Sequence, residues 1–167
     1  GLVGNAIDGD IYNSFANGTF EVSSNDEVVV AGGLIGTNAG AMVMNCYVNW
    51  HDGSTSLSIT NFGRLMASNA STNTNNVQYC YARKNTTENF GYTVSGSVDT
   101  ETCKQYTPVI GADNLRYMYA DNKVEGDTAM FMTMNRWVTN ANNSTPRKYA
   151  RWARPGLAEI NGDLPVL

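Results

Sequence analysis

The chain has 167 residues, 21 of them Asn and 16 Gly, with 16% charged side chains and a formal charge of −4, which suits one small domain. Residues 1–63 carry Asp8, Asp10, Glu21, Asp26, Glu27 and Asp52 but no Lys or Arg, so a nucleic-acid partner is not expected there. No stretch approaches the roughly 18 to 20 apolar residues of a membrane span, and neither a basic start nor the apolar core of a signal peptide is present.

From the N-terminus, short runs with β character follow one another at 10–15, 19–22, 27–30, 41–50, 56–60 and 77–82. Turn clusters such as Asn17-Gly18, Gly32-Gly33 and Asp52-Gly53-Ser54 separate them. Runs this short are strands rather than helices.

The same segments repeat. Gly1-Leu2-Val3-Gly4-Asn5 returns as Gly33-Leu34-Ile35-Gly36-Thr37-Asn38, and Asn13-Ser14-Phe15-Ala16 returns as Asn45-Cys46-Tyr47-Val48 in the same register. A degraded third copy runs from Phe62-Gly63-Arg64-Leu65-Met66 to Tyr79-Cys80-Tyr81-Ala82, and Phe90-Gly91-Tyr92-Thr93-Val94 reads as a fourth start. Aligned on Phe62-Gly63, the third copy places Arg64 and Met66 where the pattern has Leu and Gly. A period near 30 with about three strands per copy fits a β-solenoid, whose coils pair at about 4.8 Å and whose equivalent side chains stack. Stacking predicts Leu2 over Leu34, Phe15 over Tyr47 and Tyr81, and a column of Ser14, Cys46 and Cys80. Asn13 and Asn45 would then bond backbone at a corner.

These residues, Gly1 to Asn5 with Asn13 to Ala16 and Gly32 to Asn38 with Asn45 to Tyr47, resemble the GLUG motif of large secreted and surface-attached bacterial proteins. The repeat-defining positions are Gly1, Leu2, Gly4, Asn13, Gly33, Leu34, Gly36, Asn45, Cys46 and Tyr47. The resemblance implies a mainly β fold, a right-handed parallel β-helix-like solenoid of about three coils. It also implies an adhesin-like module without a known active site, secreted or on the cell surface. Neighbouring repeats of a parent protein, glycans or host extracellular proteins are the partners it suggests. The chain opens inside a motif and without Met, so further modules are expected in a longer parent.

From residue 111 the period changes, and we divide the chain into repeats over 1–110 and a small mixed cap over 111–167. Thr128 to Val138 reads as a helix with Met130, Met134 and Trp137 on one face, and Asp113 to Ala120 as a second helical candidate. Ala141 to Pro146 reads as a loop, Arg147 to Ala153 as a strand, and Asn161-Gly162 as a hairpin turn. Arg147, Lys148, Arg151 and Arg154, interleaved with Tyr149 and Trp152, read as a solvated face whose aromatics cover the core.

The chemistry available is narrow. With His51 as the single histidine, mechanisms needing two imidazoles and multi-histidine metal centres are excluded; Cys46, Cys80 and Cys103 read as small buried thiols. No cofactor or metal site is assigned, and no catalytic residue. The competing reading is a carbohydrate-binding or carbohydrate-degrading module whose carboxylates, Asp8, Asp10, Asp26 or Glu27, face one groove about 5 to 9.5 Å apart. These same residues are ordinary turn composition. Trp50, His51 and Asp52, closing the longest run, form the candidate ligand platform, although strand parity with Cys46 places Trp50 in the core.

Overall fold

A computed structural model describes residues 2–20, 30–52, 61–71, 73–83, 93–110, 116–120 and 130–152. The chain is mainly β, with parallel sheets and one short helix among the described residues, and it divides into two compact units, Gly1–Cys103 and Lys104–Leu167. The expected strand 56–60, the terminal hairpin around Asn161-Gly162, Arg154, Asp26 and Glu27 lie outside the described residues.

In the first unit the strands form tiers. The first tier is β1 (Val3–Ala6), β2 (Asp10–Tyr12) and β3 (Phe15–Phe20), and the second is β4 (Val30–Gly32), β5 (Ile35–Asn38), β6 (Met42–Met44) and β7 (Tyr47–Asp52). The third is β8 (Asn61–Gly63), β9 (Met66–Asn69), β10 (Val77–Gln78) and β11 (Tyr81–Arg83), with a single 3-10 turn, Thr74–Asn76, before β10. A further strand, β12 (Thr93–Ser95), follows.

Each strand pairs in parallel with its equivalent a tier away rather than with its neighbour in sequence. The sheets run β1-β5-β9-β12, β2-β6-β10 and β4-β8, and β3 pairs β7, which pairs β11. Val3 faces Ile35 and Ile35 faces Met66; Ile11 faces Val43, which faces Val77; Phe15 faces Tyr47, which faces Tyr81. The core follows from this register. Leu34, Ile35, Val43, Leu65, Met66 and Val77 are all fully buried, each contributing roughly 1.5–3 kcal/mol.

Two sequence expectations change here. The runs 10–15 and 41–50 are not single strands, because Asn13 (φ 52) and Asn45 (φ 56) adopt the left-handed conformation and turn the chain. The third copy is also in better register than its sequence suggests. Gly32 faces Gly63, so Leu65 rather than Arg64 continues the leucine column, Met66 faces Ile35, and Arg64 takes the place of Gly33. Backbone bonds follow the column, Leu2 N to Leu34 O at 2.7 Å and Leu34 N to Leu65 O at 2.8 Å.

The second unit contains the antiparallel pair β13 (Lys104–Ile110) and β14 (Arg116–Ala120), and the helix α1 (Met130–Ser144). Residues 116–120, expected to be helical, are therefore a strand, in which Tyr117, Met118 and Tyr119 pair with Val109, Pro108 and Thr107. The helix exists but extends into the expected loop as far as Ser144, and among its described side chains Met134 and Val138 are fully buried. Trp137 is half-buried and packs on Tyr149 with ring centroids 5.1 Å apart.

The expected strand from Arg147 is absent over 147–152 for a specific reason. Asn142 donates from Nδ2 to Tyr149 O at 3.0 Å and accepts from Tyr149 N at Oδ1 at 2.7 Å. Two turns earlier on the same helix face, Asn135 does the same to Trp152, at 2.7 and 2.8 Å. Two helix asparagines thus satisfy backbone groups that a sheet would otherwise need to pair. Trp152 is buried while Arg147, Lys148 and Arg151 are exposed, as the sequence pattern leads one to expect.

Candidate functional site

The corners of the first unit are where local sequence and stacking meet. Asn tolerates a positive φ better than most residues, so Asn13 and Asn45 both turn the chain and remain buried. Asn45 Nδ2 donates to Asn13 Oδ1 at 2.7 Å across 32 residues, so the corner asparagines bond each other's side chains. Further ladders run elsewhere in the tiers. Asn49 Nδ2 donates to Asn17 Oδ1 at 2.8 Å, and Asn38 Nδ2 to Asn69 Oδ1 at 3.2 Å. Phe15 stacks on Tyr47 with ring centroids 5.2 Å apart and planes within 4°.

Directly after each corner comes a small side chain. Ser14 Oγ donates to Tyr12 O at 2.9 Å, Cys46 Sγ to Met44 O at 3.3 Å and Cys80 Sγ to Gln78 O at 3.3 Å, the same bond three times. Cys103, which the repeat pattern does not reveal because no aromatic follows it, extends this column and donates to Val77 O at 3.5 Å. All three cysteines are buried, and none is joined in a disulfide. Burial, reinforced by contacts with Cys103 and Cys46, pushes the Cys80 thiol well above its ordinary value. The Cys80 hydrogen bond holds Cys103 below its ordinary value in spite of burial. A fully buried thiol that resists ionisation is a packing element, not a nucleophile.

The candidate platform lies at the end of β7, where Trp50, His51 and Asp52 face Gly18, Thr19 and Phe20 of β3. Their side chains lie outside the described residues. The parity argument for Trp50 has no force, since Tyr47, Val48 and Asn49 are buried one after another and burial on β7 does not alternate. Asp8 and Asp10 are exposed, and Asp8 Oδ1 accepts from Gly9 N at 2.7 Å, the self-bonding turn that its composition suggests. Among the described residues no group of three His, Cys, Asp or Glu is placed to hold a metal ion, and no helix is long and apolar enough to cross a membrane.

Two features were not foreseen from the sequence. Asn5, Thr37, Ser68 and Ser95 fall in register along β1, β5, β9 and β12, forming a polar row at the surface with Ser95 Oγ donating to Ser68 Oγ at 2.9 Å. Its signal in the sequence is a small polar residue three positions after each Leu34-like residue, as in Asn5, Thr37 and Ser68. Asp99 is the other. Its carboxylate accepts from Thr102 Oγ1 at 2.9 Å, Glu101 N at 2.9 Å and Gln78 Nε2 at 3.1 Å. Burial opposes its ionised form, but these three bonds together hold its carboxyl below the usual carboxylate range.

Comparison with known proteins finds no family model, curated protein or solved structure that matches this chain.

Proposed function

We propose that the first unit is a stretch of right-handed β-solenoid of the GLUG type. In this reading the chain is a non-catalytic structural and adhesive module of a larger secreted or surface-attached bacterial protein. The observation that carries it is the coincidence of parallel pairing with like-on-like stacking: Asn45 on Asn13, Asn49 on Asn17 and Tyr47 on Phe15, all in one register. Rows of this kind repeat one side chain at the strand spacing of about 4.8 Å, which suits extended, multivalent contact better than catalysis. The polar row Asn5, Thr37, Ser68 and Ser95 and the platform at Trp50, His51 and Asp52 are its two candidate binding faces. Neighbouring repeats, glycans and host extracellular proteins are its partners.

The test is binding of the purified chain to a glycan and extracellular-matrix array. The wild type is compared with Trp50→Ala and with the double variant Thr37→Lys, Ser68→Lys. A reproducible ligand lost in one variant maps the face. A blank with well-folded protein contradicts the adhesive role, and glycan cleavage contradicts the non-catalytic one.

A further inference from the structure

We infer that the second unit carries a ridge of cations along α1 that binds an acidic polysaccharide, a chain with a carboxylate on each successive sugar. This face is additional to the two in the first unit and stands whether or not those bind anything. Between Asp127 and Glu159 the chain holds Arg136, Arg147, Lys148, Arg151 and Arg154 and no acidic residue, although its net charge is −4. The fold gathers three of them. The segment after the helix runs back along it, clamped at Tyr149 by Asn142 and at Trp152 by Asn135. That return lays Lys148 Nζ on Asn142 O and Thr145 O, and Arg151 Nη2 on Thr139 Oγ1 at 3.0 Å. Arg136, Thr139 and Asn142 follow one another at three-residue intervals. The anchor points of the three charges therefore step obliquely across the helix, about 4.5 Å apart along its axis.

Arg136, Lys148 and Arg151 are all exposed. The partners of Lys148 and Arg151 are neutral carbonyl and hydroxyl oxygens, and Arg136 makes no hydrogen bond or ion pair among the described residues. A lysine on the last carbonyls of a helix is an ordinary C-terminal cap, so Lys148 alone asks for nothing more. Arg136 lies mid-helix and Arg151 is held there by a hydroxyl, so neither of these charges serves the helix end.

The surroundings of the ridge select the polyanion. A nucleic-acid strand stacks its bases on aromatic faces, but Trp137 and Tyr149 are half-buried against each other and Trp152 is buried. A membrane surface takes up a continuous apolar face beside the cations, and Met132 is the one large apolar side chain exposed on α1 among the described residues. Asn140 and Asn143 are exposed beside Arg136 instead, amides whose donors and acceptors suit sugar hydroxyls. The guanidinium fork fits a carboxylate, and the clamped backbone of 149–152 leaves little freedom to lose on binding.

The experiment titrates the full chain into a fluorescent, de-esterified oligogalacturonate and reads anisotropy. Saturable binding is expected, weakened about threefold by Arg136→Gln and lost when Lys148→Gln and Arg151→Gln are added. Raising the salt from about 50 to 200 mM should weaken it roughly fivefold or more. Trp50→Ala should bind as the wild type does. Arg136→Gln should keep the thermal midpoint of the wild type, so it decides the matter even if the triple variant fails to fold. No binding up to about 1 mM, equal binding of the methyl-esterified chain, or full affinity in Arg136→Gln overturns the proposal. Tighter binding of single-stranded DNA or of phosphatidylserine vesicles than of the uronate chain overturns it by replacing the occupant. Loss of uronate binding in Trp50→Ala moves the site to the first unit and overturns it as well.

Discussion

Asn45 donates its side-chain amide to Asn13 at 2.7 Å, yet its own buried Oδ1 has no hydrogen-bond partner. The cause lies one tier further on, where the third left-handed corner is Tyr79 (φ 54) instead of a third asparagine. The amide ladder ends there for lack of a donor.

Tyr79→Asn should complete it. An asparagine supplies the missing N–H and relieves a bulky residue of a left-handed backbone, two effects each of about 1 kcal/mol. Urea unfolding should show a gain of about 1–2 kcal/mol with an unchanged denaturant slope. An equal or lower stability would mean that the corner does not have this geometry.

Glycine is needed where tiers touch and not where they are open. A Cβ at Gly32 would stand 2.5 Å from Ala67 N of the next tier, besides 1.8 Å from Ile35 O of its own, and neither backbone atom can move aside cheaply. Gly32→Ala is expected to cost about 3 kcal/mol or more, while Gly4→Ala changes stability by no more than about 0.5 kcal/mol. Similar losses in thermal unfolding of the two variants would contradict the packing described.

The thiol column should be chemically quiet and chemically replaceable. Alkylation of the native chain is expected to be slow at Cys46, Cys80 and Cys103, with all three modified after unfolding without reductant, as mass spectrometry would read. Cys46→Ser should cost under about 1 kcal/mol, because Ser14 already makes the equivalent bond from a hydroxyl. Cys80→Leu overpacks the same column and should cost about 1–3 kcal/mol.

Asp99 links stability to pH. Its folded pKa lies below the unfolded value of about 3.9, so its stabilising contribution is complete above that value and is lost as pH falls through the folded pKa. Asp99→Asn is expected to lower stability near neutral pH by about 1 kcal/mol and to flatten the acid limb below about pH 4. An acid limb parallel to that of the wild type would remove Asp99 from the account.

Much of the first unit is legible in the sequence because stacking makes equivalent positions alike. Leu2 with Leu34, Phe15 with Tyr47 and Ser14 with Cys46 all fall at the spacing found in the structure. The corners hide inside apparent strands, since Asn13 and Asn45 differ little in composition from strand asparagines such as Asn49. The third tier misleads because Gly63 resembles Gly33 in sequence but pairs with Gly32, so that buried Leu65 continues the leucine column. In the second unit, Asn142 has turn composition, but its amide is bonded to Tyr149 and the helix continues past it. The candidate platform at Trp50 rests on its place at the end of the longest run, and the strand parity that would put Trp50 in the core has no force where Tyr47, Val48 and Asn49 are buried in succession. The row Asn5, Thr37, Ser68 and Ser95 becomes visible only when strands far apart in sequence are laid side by side.

Strands of the first unit pair with partners about 32 residues away rather than with the next strand in sequence. Nuclear Overhauser contacts in the isotopically labelled chain test it most directly. Backbone contacts are expected between Val3 and Ile35, Ile11 and Val43, and Ile35 and Met66. Contacts joining β1 to β2 or β6 to β7 as antiparallel hairpins, with those long-range contacts missing, would contradict it.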